Sequence, residues 1–523
     1  MPALILFLHG IEHFSSEIQN VAGKNFKNLL SRLTSTRWSG FFLGTTVTAL
    51  IQSSSATTVI LVGLVDAGII SFMHSLPVVF GAAVGTTITA QLVAFKLTAY
   101  APLFIVLGFL LRSLHGKYSF LGPPLFYFGL VFFSLNLISN ALDPIKTDPH
   151  VQQLFAGLSS PLSGILTGVV FTILVQSSSV TSGLLVVLAA SGLVTLPQAV
   201  PVLFGAAIGT TSTAILASLQ LGLHAKRVAV AHLAFKVLGV LCILPFLRPF
   251  EAMVAGLGGG VGQQVANALT VFQLFSAGVF LILLRPFAYF VQELIPGTET
   301  EILFKPHYLT RPLPKSDKLA FRMIGKEMRH TIGICQEAFE QALRLIEKPH
   351  KSELARAEKL EDYIDYLEEE ISAAILELSN RGQIGNIAEK STYLVRLCHE
   401  IEQLGDLAND LDISIMKMHQ RGQHLDKGAA FGLEETFTVL RASLVLMTKK
   451  FPFFAPEDIV ELKTNYAHAA KTAHHHYGQH LERMRTYGYD AKFVSLISIF
   501  ETANDKIRDI RKIAEDYQKI SVD

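Results

Sequence analysis

Several features that mark secreted proteins and common enzymes are missing from this sequence. Its three cysteines, Cys242, Cys335 and Cys398, are far apart and form no CxxC pair. This spacing excludes a disulfide framework, fits a reducing compartment and predicts buried small hydrophobic residues. The formal net charge is only +1, so nothing indicates a nucleic acid as a partner. No P-loop, G-x-S-x-G or H-E-x-x-H motif occurs, which argues against an enzyme and against an ATP-driven pump within this chain.

Charge is scarce in one half of the chain and abundant in the other. Charged residues are sparse from about residue 40 to residue 290 and dense from about residue 315 to residue 523. Half of all residues are hydrophobic and the mean hydropathy is +0.40, which is high for a soluble protein. This step predicts a transmembrane domain over residues 1–296, a proline-containing linker over 297–315 and a helical domain over 316–523. The apolar N-terminus lacks a basic region and a cleavage site, so we interpret it as a retained membrane segment.

Long apolar stretches fill the first domain. A transmembrane helix needs roughly 20 mostly apolar residues, and some stretches here are long enough for two half-helices. They lie near Gly40–Leu64, Ile69–Phe95, Thr98–Leu114, Leu121–Leu142, Leu162–Ala190, Leu193–Leu219, Val228–Leu247 and Ala266–Val291. The basic residues just before the first of these stretches predict a cytoplasmic segment, and Trp38 beside them predicts an interfacial anchor.

After residue 316 the apolar residues recur at three- and four-residue spacing, which predicts helices. We expect six of them, forming two three-helix bundles, and none is apolar enough to cross a bilayer. Their expected bounds are roughly 318–347, 352–380, 388–419, 429–450, 456–486 and 490–517. The histidine run 474–476 has no ligand partner nearby in sequence and is interpreted as exposed helix surface.

An internal repeat is the strongest pattern in the chain. GFFLGTTVTALIQSSSATT at 40–58 is matched by GILTGVVFTILVQSSSVTS at 164–182, and PVVFGAAVGTTITA at 77–90 by PVLFGAAIGTTSTA at 201–214. Gln52 and Gln176 lie 124 positions apart (176 minus 52), and the second pair of segments has the same offset. The pattern predicts an all-α, polytopic membrane protein with one repeat at about 40–95 and another at about 164–219. Many transporters consist of such units in inverted topology.

The repeated polar motifs suit an anion. Four consecutive polar side chains within an apolar span favour a broken helix, which is tolerated only where it lines a cavity. Its free N–H groups attract anions and its free carbonyls suit a sodium ion. Hydroxyl and amide groups can hold an oxyanion without the strong grip of arginine. Packing of small residues between helices is the alternative explanation of these motifs. The candidate binding residues are Gln52, Ser53, Ser54, Ser55, Thr57, Thr58, Thr86, Thr87, Gln176, Ser177, Ser178, Ser179, Thr181, Ser182, Thr210 and Thr211.

At QSSSATT, QSSSVTS and the two GTT pieces, the sequence resembles the type II sodium/phosphate cotransporter family. The resemblance covers about residues 1–300. It implies inverted repeats whose QSSS hairpins meet at the membrane midplane, with inorganic phosphate and sodium as ligands. Carried over by position, the residues implied to line that site are Gln52, Ser53, Ser54, Ser55, Gln176, Ser177, Ser178 and Ser179.

The C-terminal part resembles a PhoU-type domain, whose helices carry E-x-x-x-D pairs. Here the pairs are Glu361/Asp365, Glu402/Asp406 and Glu501/Asp505. Like charges at i, i+4 on one helix face repel each other modestly, and a bound divalent or ferric cation would relieve that repulsion. A solvated acidic face is the equally open alternative.

The sequence departs from the family at three positions. The family commonly has GANIGTT, whereas Ala83 and Ala207 occupy the asparagine positions here. In a later helix the family tends to carry H-x-x-F-N, and this chain has Lys236 in place of that asparagine. A lysine in mid-span is costly and usually functional. We therefore expect its ammonium to replace one sodium ion or to face the phosphate, which would weaken sodium coupling. Snorkelling of Lys236 to an interface is the alternative.

Together with the family resemblance, these features predict a sodium-coupled secondary active transporter of inorganic phosphate in the plasma (inner) membrane. The PhoU-like domain would be cytoplasmic and regulatory, and its helical bundles offer surface for a homodimer. A carrier for another anion, a sodium-independent phosphate carrier or exporter, and a membrane phosphate sensor remain alternatives.

Overall fold

A computed structural model describes residues 36–95, 100–113, 119–142, 160–297, 302–347, 351–381, 386–423, 427–487 and 491–521, with isolated positions at 2–17 and 425. Across these ranges the regular secondary structure is helical and no strand occurs, which confirms the all-α prediction. The chain divides into two compact units, Met1–Glu301 and Ile302–Asp523. The boundary falls within the segment expected to be a linker.

The first unit consists of short and long apolar helices, numbered here from residue 37. Among the described residues, five helical segments are long and apolar enough to cross a membrane: Phe72–Ala94, Ser119–Ile138, Leu196–Ser218, Leu223–Gly256 and Val261–Ile282. The individual helices are α1 (Arg37–Ile51), α2 (Ser54–Asp66), α3 (Phe72–Gly85), α4 (Thr87–Ala94), α5 (Ala101–Ser113), α6 (Gly122–Leu142), α7 (Pro161–Val175), α8 (Ser178–Ala190), α9 (Leu196–Gly209), α10 (Ser212–Ser218), α11 (Leu223–Ile243), α12 (Leu247–Gly256), α13 (Val261–Ile282) and α14 (Leu284–Leu294).

Glycines bring α1 against α3, and α7 against α9, at backbone contact. A Cβ atom on Gly81 would lie 2.0 Å from the carbonyl oxygen of Phe41, and one on Gly205 would lie 2.0 Å from that of Ile165. Small residues at regular spacing allow membrane helices to approach this closely. Each repeat therefore holds its QSSS hairpin tightly against the helix that leads to its GTT segment.

The two repeats also exchange contacts in a reciprocal way. Helix α2 of the first repeat packs on α10 of the second, and α8 of the second packs on α4 of the first. Helix α11 packs on α2, α3 and α10, while α13 packs on the equivalent α8, α9 and α4. This exchange is what a two-fold-related pair of repeats produces. The inverted orientation of the repeats stays a prediction.

In the described residues of the second unit, six helices form a bundle, and their bounds are close to the predicted ones. The first three pack on one another, the last three do the same, and both groups share one apolar core. They are α15 (Asp317–Glu347), α16 (Lys351–Ser379), α17 (Asn386–Gln420), α18 (Lys427–Lys450), α19 (Pro456–Tyr487) and α20 (Ala491–Ser521).

Two local expectations differ from the structure. Residues 302–315, expected to be linker, pack on the bundle: the Glu327 carboxylate accepts the backbone N–H groups of His307 and Leu309 at 2.8 Å each, and Leu309 is buried. The interpretation of His476 as exposed is wrong, since it is buried and its Nε2 lies 2.7 Å from a Glu435 carboxylate oxygen. Both differences arise from contacts between residues far apart in the chain, and such contacts cannot be predicted from the local sequence.

The cysteines follow the expectation in part. Cys335 and Cys398 are buried and reduced, whereas Cys242 is reduced and exposed. Cys242 lies beside the exposed Leu241 on α11. An apolar outer face is what a helix in contact with lipid requires, so a small hydrophobic residue fits there as well.

Candidate anion-binding site

Each Gln-Ser-Ser-Ser motif breaks one helix and starts the next. Gln52 and Gln176 end α1 and α7 with left-handed φ angles of 59° and 55°, which are uncommon for residues with a side chain. The backbone N–H of Gln52 still donates to the Thr48 carbonyl at 2.7 Å, and that of Gln176 donates to Thr172 at 2.7 Å. The same strained turn at both positions fits a functional site.

The serine after each glutamine caps the following helix. Ser53 Oγ accepts the N–H of Ala56 at 3.2 Å, and Ser177 Oγ accepts that of Val180 at 3.3 Å. Such caps satisfy backbone donors that a helix start leaves free. The structure therefore gives Ser53 and Ser177, both predicted to bind the ligand, a role in holding the turn.

Threonines fasten the arms of each hairpin. Thr48 donates to Thr57 Oγ1 at 3.0 Å, and in the second repeat Thr172 and Thr181 pair at 2.8 Å. Thr57 and Thr181, also predicted binding residues, are thus engaged within their own hairpins. Their bonds keep the two arms in register at the break.

The GTT segments break a second pair of helices. Thr86 Oγ1 donates to the Ala82 carbonyl at 3.0 Å, and Thr87 donates to that of Val84 at 2.8 Å. In the second repeat, Thr211 donates to the Ile208 carbonyl at 2.7 Å. These bonds satisfy each hydroxyl proton and leave its lone pairs free to accept.

A small cavity of about 20 Å³ lies where these four broken segments meet. Both repeats contribute hydroxyl groups to it, and one ammonium group reaches it. Six of the predicted residues come together here: Ser54, Thr86, Ser178, Ser182, Thr210 and Lys236. The other lining residues are Ala83, Leu203, Ala206, Ala207, Leu269 and Gln273.

The remaining predicted anion-binding residues do not line this cavity. Ser55 Oγ lies 3.2 Å from Thr210 Oγ1 and so joins the two repeats directly. Thr58 is buried, and its hydroxyl oxygen has no hydrogen-bond partner among the described residues. Gln52 bonds within its own repeat, its Oε1 accepting from Thr89 at 2.5 Å. Gln52 and Ser179 line a separate, mostly apolar cavity of about 20 Å³, and Gln176 is exposed.

Lys236 is buried, with only 4% of its surface exposed. Its Nζ donates to Gln273 Oε1 at 2.9 Å and lies 5.1 Å from the Phe235 ring centroid. The side chain therefore does not snorkel to an interface, which removes that alternative. Among the described residues that line the cavity, Lys236 is the basic one, and in its protonated form it gives the cavity the sign that an anion requires.

The cavity wall contains both alanines that depart from the family motif and one polar residue, Gln273, that was not predicted from the sequence. Ala83 and Ala207 present methyl groups to the cavity at the positions of the family's asparagines. Gln273 of α13 supplies an amide from another direction. A glutamine in the middle of an apolar span is a detectable signal, because polar groups inside a membrane are costly and usually functional.

Comparisons with known proteins bear on this site. The Na+/Pi-cotransporter family model matches residues 6–140 and 138–259, and the PhoU domain model matches residues 328–411. The Bacillus subtilis (strain 168) protein named "Uncharacterized protein YqeW" is 34% identical over 299 residues, which are 56% of this chain and 97% of the relative. The chain belongs to the Na+/Pi-cotransporter family. With its apolar helices, this makes it a multi-pass membrane protein.

Other relatives carry functional names. The Escherichia coli (strain K12) "Putative inorganic phosphate export protein YjbB" is 27% identical over 421 residues, covering 79% of this chain and 77% of the relative. The Rattus norvegicus "Sodium-dependent phosphate transport protein 2A" is 38% identical over 116 residues, covering 21% of this chain and 18% of the relative. No solved structure matches the chain.

The PhoU domain brings together part of the predicted metal site. Carboxylate oxygens of Glu361, Asp365 and Asp406 lie within 4.8 Å of one another. Partial burial, and then the negative charges of neighbouring aspartates, raise the pKa of Glu361 and of Asp365. The pKa of Glu402 is also raised, first by burial and then by Asp406. The cluster thus has the excess negative charge that a hard cation would neutralise.

The third predicted pair does not join this cluster. Asp505 accepts from Arg508 Nη1 at 2.7 Å and from the Tyr466 hydroxyl at 2.9 Å, and Glu501 is exposed. An arginine already supplies the positive charge that a metal would bring to Asp505. Both residues also lie beyond the segment matched by the PhoU model.

Proposed function

We propose that this chain is a secondary active transporter of inorganic phosphate in the plasma (inner) membrane. The observation that carries the proposal is the cavity lined by Ser54, Thr86, Ser178, Ser182 and Thr210 of both repeats, with the Lys236 ammonium beside them. Thr86 and Ser182 donate their hydroxyl protons to backbone carbonyls and can accept a hydrogen bond from a phosphate P–OH group. The hydroxyls of Ser54 and Ser178 can donate to the charged phosphate oxygens. A single cation gives moderate affinity, so the substrate can also be released. The family membership and the names of the relatives support the same substrate.

We also propose that Lys236 replaces one of the sodium ions that the family resemblance implies. The ammonium lies at the binding cavity, where a bound sodium ion would otherwise balance the anion's charge. At an effective dielectric constant of about 20, one charge about 5 Å away contributes roughly 3 kcal/mol, or about a hundredfold in affinity. Sodium coupling would then be weakened compared with relatives named as sodium-dependent.

Labelled phosphate uptake into proteoliposomes, with and without a sodium gradient, tests both proposals. We expect uptake that depends weakly on sodium, and we expect Lys236→Asn to raise KM for phosphate and to increase the sodium dependence. Wild-type uptake that fully requires sodium would contradict the replacement of sodium by Lys236. Phosphate binding without flux would contradict transport and favour a sensor, whereas flux of other oxyanions alone would indicate another anion carrier.

For the second unit we propose a cytoplasmic regulatory domain that binds a divalent or ferric cation at Glu361, Asp365 and Asp406. Support comes from the clustering of the three carboxylates and from the raised pKa of Glu361 and Asp365. Metal content of the purified full-length protein, measured by mass spectrometry after loading, tests this. Asp406→Asn should lower the bound metal, while Glu501→Gln, outside the cluster, should not. Equal loss in both variants, or no metal in the wild type, would contradict this placement.

A further inference from the structure

We infer that Gln273 is a second polar residue of the phosphate site, opposite Lys236. It positions the Lys236 ammonium and offers its own amide N–H groups to the anion. This inference rests on the proposed function. It begins from the places of α11 and α13 in the fold. Helix α11 packs on α2, α3 and α10, and α13 packs on their repeat counterparts α8, α9 and α4. The two helices therefore occupy equivalent positions around the cavity.

Aromatic contacts show which residues of α11 and α13 correspond to each other. Phe80 of α3 packs on Phe235 of α11, and Phe204 of α9 packs on Phe272 of α13, with ring centroids 4.7 Å apart in both pairs. Phe80 and Phe204 are themselves repeat counterparts, 124 positions apart (204 minus 80). The residue after each helix phenylalanine is polar: Lys236 on α11 and Gln273 on α13.

These two polar residues meet each other at the cavity. Lys236 Nζ donates to Gln273 Oε1 at 2.9 Å, and both residues are about 4% exposed. One turn further along, Gly239 leaves room for Ser276, since a Cβ on Gly239 would lie 2.8 Å from Ser276 Oγ. The bond thus lies where α11 and α13 approach each other.

The chemistry of the pair explains why an amide suits this position. A carboxylate here would neutralise the ammonium and remove the charge that attracts the anion. An amide oxygen satisfies one of the three ammonium donors and leaves the charge intact. The amide's own N–H groups then remain as donors for an anion in the cavity. In this way Gln273 holds the Lys236 side chain in place without neutralising its positive charge.

If Gln273 has this role, its variants should rank by KM for phosphate in an order that a purely structural role does not predict. Gln273→Leu should raise KM for phosphate about tenfold, because the ammonium loses its acceptor and the anion loses amide donors. Gln273→Glu should raise KM about a hundredfold, because the carboxylate pairs with Lys236 and repels the anion. If Gln273 only filled space and made a hydrogen bond, the similar-sized Glu would be the milder change. Gln264→Leu, on the same helix and away from the cavity, is the control and should leave KM unchanged.

An exchange variant tests the equivalence of the two positions. Lys236→Gln alone should lower the affinity for phosphate. Combining it with Gln273→Lys should restore most of that affinity, because the ammonium then reaches the same cavity from α13 instead of α11. We would measure KM and maximal rate in phosphate counterflow, and Kd for labelled phosphate on detergent-purified protein that elutes as one species. Wild-type binding without counterflow would reject transport, and the variant order in Kd would still decide the role of Gln273. A milder effect of Glu than of Leu, or no recovery in the exchange variant, would overturn the inference.

Discussion

The contact between α7 and α9 should be intolerant of a single methyl group. A Cβ on Gly205 would lie 2.0 Å from the Ile165 carbonyl oxygen and 2.9 Å from the Val169 nitrogen. Ordinary contacts to a Cβ begin at 3.4 Å, so Gly205→Ala must separate the two backbones by about 1.4 Å (3.4 minus 2.0). Both obstacles are backbone atoms, which cannot move aside as a flexible side chain would.

The size of the effect follows from that displacement. Overpacking a close-packed interior costs about 1–3 kcal/mol, and occasionally more. Thr210 of the cavity follows Gly205 by five positions, so the shift reaches the site (210 minus 205). A misplacement of about 1 Å can lower the rate of a positioned step about a hundredfold. We therefore expect Gly205→Ala to lose most phosphate transport and to unfold at a lower temperature.

Gly278→Ala provides the matched control. Gly278 lies in the membrane helix α13, and a Cβ there would meet no atom within 4 Å. Both variants add one methyl group to a membrane helix, so only the local space differs. We would compare phosphate counterflow and thermal unfolding of the two purified proteins. Equal rates and equal unfolding temperatures would refute the argument that the repeat depends on backbone contact at Gly205.

Two further predictions concern single polar groups. Burial raises the pKa of Asp412 to about 8, so the folded state keeps a proton that the unfolded chain loses near pH 4. The stabilising effect of this proton is complete below pH 4 and is lost as the pH rises through 8, at up to about 1.4 kcal/mol per pH unit. Asp412→Asn should therefore raise the unfolding temperature more at pH 8.5 than at pH 5; an equal change at both would contradict this. The Ser55–Thr210 bond should give non-additive losses in Ser55→Ala and Thr210→Val, with a coupling of about 1 kcal/mol in thermal unfolding. Strict additivity would mean that the bond does not join the repeats energetically.

The helices and their breaks could be read from the sequence because local chemistry decides them. Apolar spacing placed the six helices of the second unit within a few residues; for example, 429–450 was expected and Lys427–Lys450 is observed. Each QSSS motif marked a break because consecutive polar groups cannot all avoid lipid on one regular helix. The repeat offset likewise predicted that both halves would break at equivalent residues, as Gln52 and Gln176 do.

The composition of the cavity could not be read in the same way. Ser53 and Ser54 are neighbours with the same side chain, yet Ser53 caps α2 and Ser54 lines the cavity. Which of them faces inward depends on the turn at Gln52 and on the helix packed behind it. The acidic pairs show the same limit, because Glu361/Asp365 meets Asp406 across two helices while Asp505 meets Arg508 on its own helix.

The sequence by itself determined the helical class, the duplicated unit, the polar breaks and the family, because each depends on residues close together in the chain or on one repeated offset. Only the tertiary structure decided that Lys236 is buried, that Gln273 accepts a hydrogen bond from it, and that Ala83 and Ala207 present methyl groups to the cavity. These facts depend on packing between α11 and α13 and between the two repeats. Such contacts join residues far apart in the chain, and no local pattern encodes them.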